Sequence, residues 1–319
     1  MESLDRIAEI LESEDDFLIT SHVNPDGDAV GSMAGIGHLL ARLGKRISIF
    51  CESPVPEKFS WVDMPAKVQH EYEPGRHSWI IMLDCGDIQR SGRMIPGKNI
   101  EPIINIDHHS GNPGFGAINW IDTASSSVGE MVGRLADRLG IDLSGPMAEG
   151  IYLALVSDTG FFSFGNTTDK ALDLSARLVR NGIKPGEINP RILNQWTIGR
   201  LHLHGMAMQR ASFHLNGQLG IISVSRKMLE ETGASPDDCE GLVNTLRNVK
   251  TVRVAVSLRE DDPGRIKFSL RSKGDINVQV MAGELGGGGH KNASGGILEG
   301  DMDQARQMLL NTVSSHLAS

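Results

Sequence analysis

Four separate stretches of this chain set carboxylates and imidazoles directly behind apolar runs. FLITS at 17–21 leads into His22, Asp26 and Asp28, WIIMLD ends on Asp84, PIINID ends on Asp107 with His108 and His109 behind it, and IYLALVS leads to Asp158. Singly, each has an ordinary explanation: Asp26 and Asp28 precede a helix-like segment, where N-capping accounts for them, and Asp84 could cap a turn. Taken together, the separate explanations must all hold at once, and convergence on one site is the simpler reading. His22, Asp26, Asp28, Asp84, His108 and Asp158 would bring four carboxylates and two imidazoles together, a formal charge of −4. Two divalent cations neutralise that charge; without them the carboxylates repel one another or take up protons. Oxygen and imidazole ligands with no thiolate suit Mn²⁺, Mg²⁺ or Co²⁺, and two imidazoles tilt the choice toward Mn²⁺. A metal pair about 3.5–4 Å apart generates hydroxide and clamps the attacking and leaving oxygens of a phosphoryl transfer.

The elements that must position these groups follow from the same runs. FLITS, RISIFC at 46–51, SWIIMLD at 78–84 and PIINID at 102–107 read as buried strands separated by helix-length segments, the pattern of a parallel α/β sheet. Ligands gather at the carboxyl ends of such strands, where His22, Asp84 and Asp107 to His109 all fall. Residues 27–43 carry small and apolar residues at helical spacing, with Gly44 as a stop. Ser127 and Glu130 form an S-x-x-E capping box for a helix to about Leu139. Residues 147–157 could be strand or helix, and their length and flanks favour helix. Asn166, Thr167 and Thr168 cap a helix at 169–179, after which Gly182, Pro185, Gly186 and Pro190 punctuate a connector. From about residue 205, SFHLNG, QLGIISVS, TVRVAVSL and RIKFSLRS alternate as antiparallel strands do, with a helix near 236–247. The expectation is a parallel-sheet α/β domain at 1–190 with helices on both faces, a linker at 191–205, and a smaller α+β domain at 206–319. The second sheet should be mainly antiparallel or mixed, with a cleft between the domains.

A second chemical signal lies in GELGGGGHKNASGG at 283–296. Consecutive glycines Gly287, Gly288 and Gly289 let backbone approach an anion and turn N–H groups toward it as a nest, and His290 adds a donor. A flexible turn between helix and strand is the plain alternative. Upstream, Lys267 and Arg271 share the face opposite the apolar one, and Arg271 offers a planar fork to phosphate or a surface for a base. Arg90, Arg93 and Ser163 are weaker candidates for phosphate contact.

At 319 residues the chain has room for two cores, and 39% hydrophobic and 22% charged residues are ordinary for a globular protein. The net charge of −9 is uneven: residues 1–190 carry 16 Lys/Arg against 27 Asp/Glu, a charge of −11, and the remainder 15 against 13, or +2. An acidic first lobe befits a cation site, and the total disfavours binding along long nucleic acid, which wants an extended basic footprint. No run approaches the ~20 apolar residues of a membrane span, and the acidic N-terminus lacks the pattern of a signal peptide. Cys51, Cys85 and Cys239 have neither metal nor redox spacing and read as reduced thiols in a cytoplasmic protein.

HVNPDGDAVGS, LDCGD, IDHHSGNPGFG and VSDTGFF resemble, in order and character, the four motifs of the DHH phosphoesterase superfamily. That resemblance implies that His22, Asp26 and Asp84 hold one metal and that Asp28, Asp84, His108 and Asp158 hold the other, with Asp84 bridging. It implies that His109 faces the scissile phosphate and that Asp107 supports the loop. The GGGGH and SLRS stretches resemble the DHH-associated C-terminal domain, which implies that Arg271, Gly287, Gly288, Gly289 and His290 contact substrate. The two together look most like the oligoribonuclease (nanoRNase)/pAp phosphatases. They imply hydrolysis of very short oligoribonucleotides, such as the dinucleotide pApA, to mononucleotides, and of pAp to AMP, in a cytoplasmic enzyme that pairs as a homodimer. Alternatives with the same metal motifs are a manganese inorganic pyrophosphatase, for which SRKM at 225–228 is only a partial match, and a cyclic-dinucleotide phosphodiesterase. A processive RecJ-like exonuclease is disfavoured by length and acidity. A metal-dependent nucleotide sensor without turnover is the non-enzymatic alternative.

Overall fold

The computed structural model describes residues 2–92 and 101–317. The chain divides into two compact units, Met1–Asn194 and Gln195–Ser319. The first holds six parallel strands: β1 (Asp16–Thr20), β2 (Arg46–Phe50), β3 (Val68–Gln69), β4 (Trp79–Leu83), β5 (Ile103–Asp107) and β6 (Ile118–Ile121). Their order is β3-β2-β1-β4-β5-β6. The chain leaves β1 toward β2 and later returns to the other side of β1 to lay down β4. This reversal opens a crevice at the carboxyl ends of β1 and β4, the place where such sheets bind ligands.

Six α-helices among the described residues accompany this sheet: α1 (Glu2–Ser13), α2 (Gly27–Arg42), α3 (Val128–Arg138), α4 (Gly145–Asp158), α5 (Asp169–Arg180) and α6 (Pro185–Leu193). Side chains alternate across each strand. Phe17, Ile19, Ile81, Leu83 and Ile104 join the buried residues of the helices in one core. On the opposite face Leu18, Phe50, Ile80 and Met82 pack with Tyr72, Ile88 and Phe115. Helices on both faces were expected; among the described residues the α-helices share one core, and connecting segments cover the other face.

Several local expectations need adjusting. Residues 185–193, read as a connector, form α6: Pro185 suits a first turn, and burial of Ile188 holds the helix although Pro190 lies inside it. The capping box at α3 is half formed, because Ser127 accepts from the Glu130 N–H while the Glu130 carboxylate takes the N–H of Ser126. The short strands β3 and β6 carry no run long enough to stand out in the sequence.

The second unit contains α7 (Ile198–Gln209), β7 (Ser212–His214), β8 (Leu219–Val224), α8 (Arg226–Thr232), α9 (Leu242–Arg247), β9 (Val254–Asp262), β10 (Arg265–Ser272), α10 (Val278–Glu284), β11 (Gly288–His290), β12 (Ala293–Glu299) and α11 (Met302–Leu317). The sheet order is β11-β12-β10-β9-β8-β7. It is mixed: β8 and β9 run parallel, because the crossover through α8 and α9 separates them, and the other pairs are antiparallel. Helices α10 and α11 close one face over Val256, Leu258, Phe268 and Leu270. On the other face α7, α8 and α9 cover Ile222, Val224 and Ala255. No helix among the described residues is long and apolar enough to cross a membrane.

Candidate metal centre

Helix packing brings the N-terminus of α2 to the C-terminus of α4. A Cβ on Gly31 would overlap the Gly150 carbonyl oxygen, and one on Gly150 would stand 2.6 Å from the Gly31 carbonyl. Only glycine at both positions lets the two backbones approach this closely. Asp26 and Asp28 at the start of α2 thereby reach Asp158 at the end of α4, while β1, β4 and β5 deliver His22, Asp84 and Asp107 to His109.

Ligand atoms converge in three overlapping groups, each within 4.8 Å: His22 with Asp26 and Asp84; Asp28 with His108 and Asp158; and Asp84 with His108 and His109. Asp84 joins the first group to the others. Its Oδ2 lies 3.6 Å from His22 Nε2 and its Oδ1 lies 3.6 Å from His108 Nε2. His108 Nε2 is also 3.6 Å from Asp158 Oδ2 and 3.8 Å from Asp28 Oδ2. Both rings are aimed by their other nitrogen: His22 Nδ1–H donates to the Val23 carbonyl at 2.8 Å and His108 Nδ1–H to the Ser125 carbonyl at 3.2 Å. Fixing one nitrogen in this way leaves Nε2 free to ligate. Arg134 steadies the turn that carries Ser125, bonding Asp122 Oδ2 at 2.7 Å and Ser125 Oγ at 2.6 Å.

His109 is handled differently. Its Nδ1 lies 2.8 Å from Asp107 Oδ1, so that atom is occupied although Asp84 Oδ1 is only 3.6 Å away. The side chain is 42% exposed, against 4% for Asp84.

The four carboxylates also differ in what they receive. Asp26 Oδ1 caps α2 through the N–H groups of Asp28 and Ala29. Asp28 accepts from Ser32 Oγ and from the N–H groups of Val128 and Gly129. It therefore caps α3, about a hundred residues away, a contact that sequence spacing gives no sign of. Among the described residues, buried Asp84 Oδ1 has no hydrogen-bond partner. Burial, then the charges of Asp84 and Asp158, push the Asp28 carboxyl well above its ordinary range. Burial, then Asp26, Asp107 and Asp158, do the same to Asp84, with Arg90 opposing. Asp158 is raised mainly by burial. An orphaned buried carboxylate oxygen, flanked by imidazoles and like charges, is what a divalent cation would complete. The residues present therefore fit the metals they were expected to hold.

Strain concentrates here too. Asn24, Asp84, Phe161 and Phe162 adopt positive φ of 54°, 53°, 55° and 64°, and all four lie in the motifs. Such backbone persists where surrounding contacts over-determine it. Arg90 is exposed on the turn Ile88–Ser91 within electrostatic reach of Asp84, and its carbonyl accepts the Val23 N–H at 2.7 Å. Ser163 is exposed on the turn after Asp158. Arg93 lies outside the described residues.

Sequence reasoning missed an asparagine cluster beside the loop. Asn112 Nδ2 donates to Asp107 Oδ2 at 2.6 Å, and Asn105 Nδ2 donates to Asn112 Oδ1 at 3.1 Å and to Asn119 Oδ1 at 3.0 Å. Asparagines scattered over a strand, a turn and a second strand carry no local signature that joins them.

In the second unit, Arg271 is half-buried and donates to the Leu270 carbonyl. With Lys267 and Ser269 it lines two cavities on the sheet face left open by α9. One of 440 Å³ also touches Gly288 and Gly295; the other, of 370 Å³, is walled by Asn244 and Arg259. Of the glycines expected to form a nest, Gly287 turns its N–H to the end of a helix instead. The N–H groups of Gly286 and Gly287 close the end of α10 on the carbonyls of Gly283 and Ala282, and Gly288 to His290 form β11. Close strand approach demands the glycines: a Cβ on Gly287 would overlap the Gly295 carbonyl, and Gly289, at φ +139°, would meet the Ala293 carbonyl at 2.6 Å. His290 is exposed on this hairpin.

Models of the DHH family, N-terminal domain, and of the DHHA1 domain match residues 16–155 and 218–318. The chain is 33% identical over 324 residues to the bifunctional oligoribonuclease and PAP phosphatase NrnA of Thermus thermophilus, covering 99% of this chain and 95% of that one. The crystal structure of an exopolyphosphatase-related protein from Bacteroides fragilis is similar at a TM-score of 0.91 and 29% identity, covering 99% of this chain and 96% of the other. RecJ from Thermus thermophilus in complex with Mn²⁺ shares the fold at a TM-score of 0.57 and 13% identity, covering 100% of this chain and 55% of that one. The two domain matches in this order, and a relationship that runs nearly end to end, make the chain a member of the DHH family, a phosphoesterase built from a DHH domain and a DHHA1 domain.

Proposed function

We propose that the protein hydrolyses very short oligoribonucleotides to mononucleotides and pAp to AMP, using two divalent cations, with Mn²⁺ preferred. The observation that carries the hydrolytic part is Asp84: a buried carboxylate shared by two His/Asp groups, with one oxygen that has no hydrogen-bond partner among the described residues. The substrate class rests on similarity to the Thermus NrnA, and the preference for Mn²⁺ on the imidazole count together with RecJ's complex.

His22, Asp26 and Asp84 would hold one cation, and Asp28, Asp84, His108 and Asp158 the other. When bound, such a pair lowers the pKa of water enough to make it nucleophilic near neutral pH. Asp107 takes the His109 Nδ1–H, and as the imidazolium the partly exposed ring can also donate from Nε2–H to a non-bridging phosphate oxygen as charge develops there. Arg271 and Lys267 supply cationic donors for a terminal phosphate, and the Arg271 plane offers a face to a base.

The test is a Mn²⁺-dependent panel of pAp, pApA, cyclic dinucleotides, pyrophosphate and short RNAs. Turnover of pApA and pAp is expected, and Asp84→Asn should abolish it while the far-UV spectrum and second-unit folding persist. No product from either substrate with Mn²⁺ present defeats the reading. Binding of nucleotide without turnover would point instead to a sensor.

A further inference from the structure

We propose that Asn112 is a positioning residue: by holding Asp107, it keeps the His109 ring turned toward substrate and away from the metal ligands. The proposal rests on the phosphoesterase reading for its consequence, though not for its geometry. One of the two ligand groups that contain Asp84 joins it to His108 and His109, so His109 is within reach of a cation held there. What withholds His109 is one hydrogen bond, Nδ1 to Asp107 Oδ1 at 2.8 Å. Asp107 is fully buried, so its orientation is set by the donors it meets. Among the described residues two side chains reach it, one on each oxygen, His109 on Oδ1 and Asn112 Nδ2, at 2.6 Å, on Oδ2, and the His109 backbone N–H adds a third donor.

The Asn112 amide has its own orientation settled from behind. Its Oδ1 accepts from Asn105 Nδ2 at 3.1 Å and from the Gly114 N–H at 2.9 Å, so the NH₂ end must face Asp107. That NH₂ group also lies 3.3 Å from the Cys85 carbonyl, beside Asp84. Asn105 is fully buried on β5 and is fixed in turn by Asn119 Oδ1 on β6. A continuous chain, Asn119–Asn105–Asn112–Asp107–His109, thus runs from the sheet edge to the exposed ring. The ring itself lies against Gly86, where a Cβ would come within 3.2 Å of His109 Cβ and Cγ. Only a side chain that donates from one atom and accepts on another can serve at position 112. Alanine deletes the donor, and aspartate would set an acceptor against an acceptor.

Asn112→Ala should lower kcat for pApA about tenfold to a hundredfold, the usual effect of losing an outer partner. KM and the Mn²⁺ midpoint for activation should stay within about twofold, since neither the cation ligands nor the second unit is touched. Asn112→Asp should lose at least as much. The decisive measurement is a double-mutant cycle. In a His109→Ala background, Asn112→Ala should cost nothing further, because its effect runs through that ring. A purely structural residue would lower the rate by the same factor in both backgrounds, and that result overturns the proposal. So does a folded Asn112→Ala protein with unchanged kcat, or one whose loss is recovered by excess Mn²⁺. Imidazole ¹⁵N NMR of the Mg²⁺-loaded protein reads the geometry without turnover. His109 should show a protonated, hydrogen-bonded Nδ1 in the wild type and lose that signature in Asn112→Ala; unchanged His109 signals would also overturn the proposal. Failure of the wild type to turn over pApA would strike the substrate assignment alone.

Discussion

Asp84 and Asp107 end neighbouring strands of one sheet and meet opposite surroundings. Burial works against the charge of both, but donors from His109 and Asn112 hold Asp107 below the ordinary carboxylate range, while Asp84 rises with Asp28 and Asp158. The sign of the pH dependence follows. A raised carboxyl keeps, in the folded site, a proton that the unfolded chain gives up near pH 4, so its contribution to stability is complete below about 4 and is lost as pH rises through the folded value. Asp107 has the reverse dependence: its contribution is present above the ordinary value and fades as pH falls through its lowered one. Three raised groups outnumber it, so the metal-free site should destabilise the fold increasingly as pH rises above the ordinary carboxylate range. Cations displace those protons, and the difference in melting temperature between Mn²⁺ and EDTA samples should therefore widen as pH rises. Melting curves at successively higher pH check it. A difference that is flat or narrows with pH would mean that these carboxylates do not meet the metal.

At the scale of elements, the contact between α2 and α4 decides whether Asp28 and Asp158 can face the same cation. Gly31→Ala places a methyl against the Gly150 carbonyl, and overpacking of this kind costs about 1–3 kcal/mol. Its urea midpoint should fall, and the Mn²⁺-induced rise in melting temperature should shrink with it as the two helix ends part. Gly205→Ala is the control. Nothing lies within 4 Å of a Cβ there and the site is on the exposed side of α7, so alanine should stabilise by about 0.5–1 kcal/mol through helix propensity. Equal destabilisation by both changes would rule out the contact as the cause. The glycines of α2 recur at Gly27, Gly31 and Gly35 and are visible in the sequence. Their partner Gly150 is not, because nothing local says which of several helices packs on which. The same division runs through the site. Strands buried on both faces leave continuous apolar runs, and each ligand sits next to its own run, so His22, Asp84, Asp107 to His109 and Asp158 could be picked out one motif at a time. The Asp28 cap on α3, the asparagine chain and the Arg134 turn are made by residues distant in sequence, and only the folded chain joins them. In the glycine run the signal was visible but two of its N–H groups serve the end of α10, since a sequence does not reveal which donors a helix end will claim.

For the molecule as a whole, the proposed function predicts that charge limits the length of substrate it holds. Residues 1–190 carry −11, so even two divalent cations leave that part of the chain acidic, and the remainder adds only +2. On the proposed reading a dinucleotide calls only for the bound cations and a few basic donors. Each additional phosphate of a longer RNA would have to be placed against a protein of net charge −9. Counterion release makes log K fall with log salt at about 0.7 per neutralised phosphate of a single strand. For pApA, which offers two or three phosphates, the slope between about 50 and 200 mM salt should then be near −1 to −2. An RNA of about twenty nucleotides should show a slope no steeper and bind no more tightly, because its extra phosphates find no partners. Competition of each against pAp hydrolysis over that salt range measures both quantities. Affinity that climbs with RNA length, together with a steepening slope, would reveal an extended basic track and replace the short-substrate reading with that of an exonuclease working along a strand.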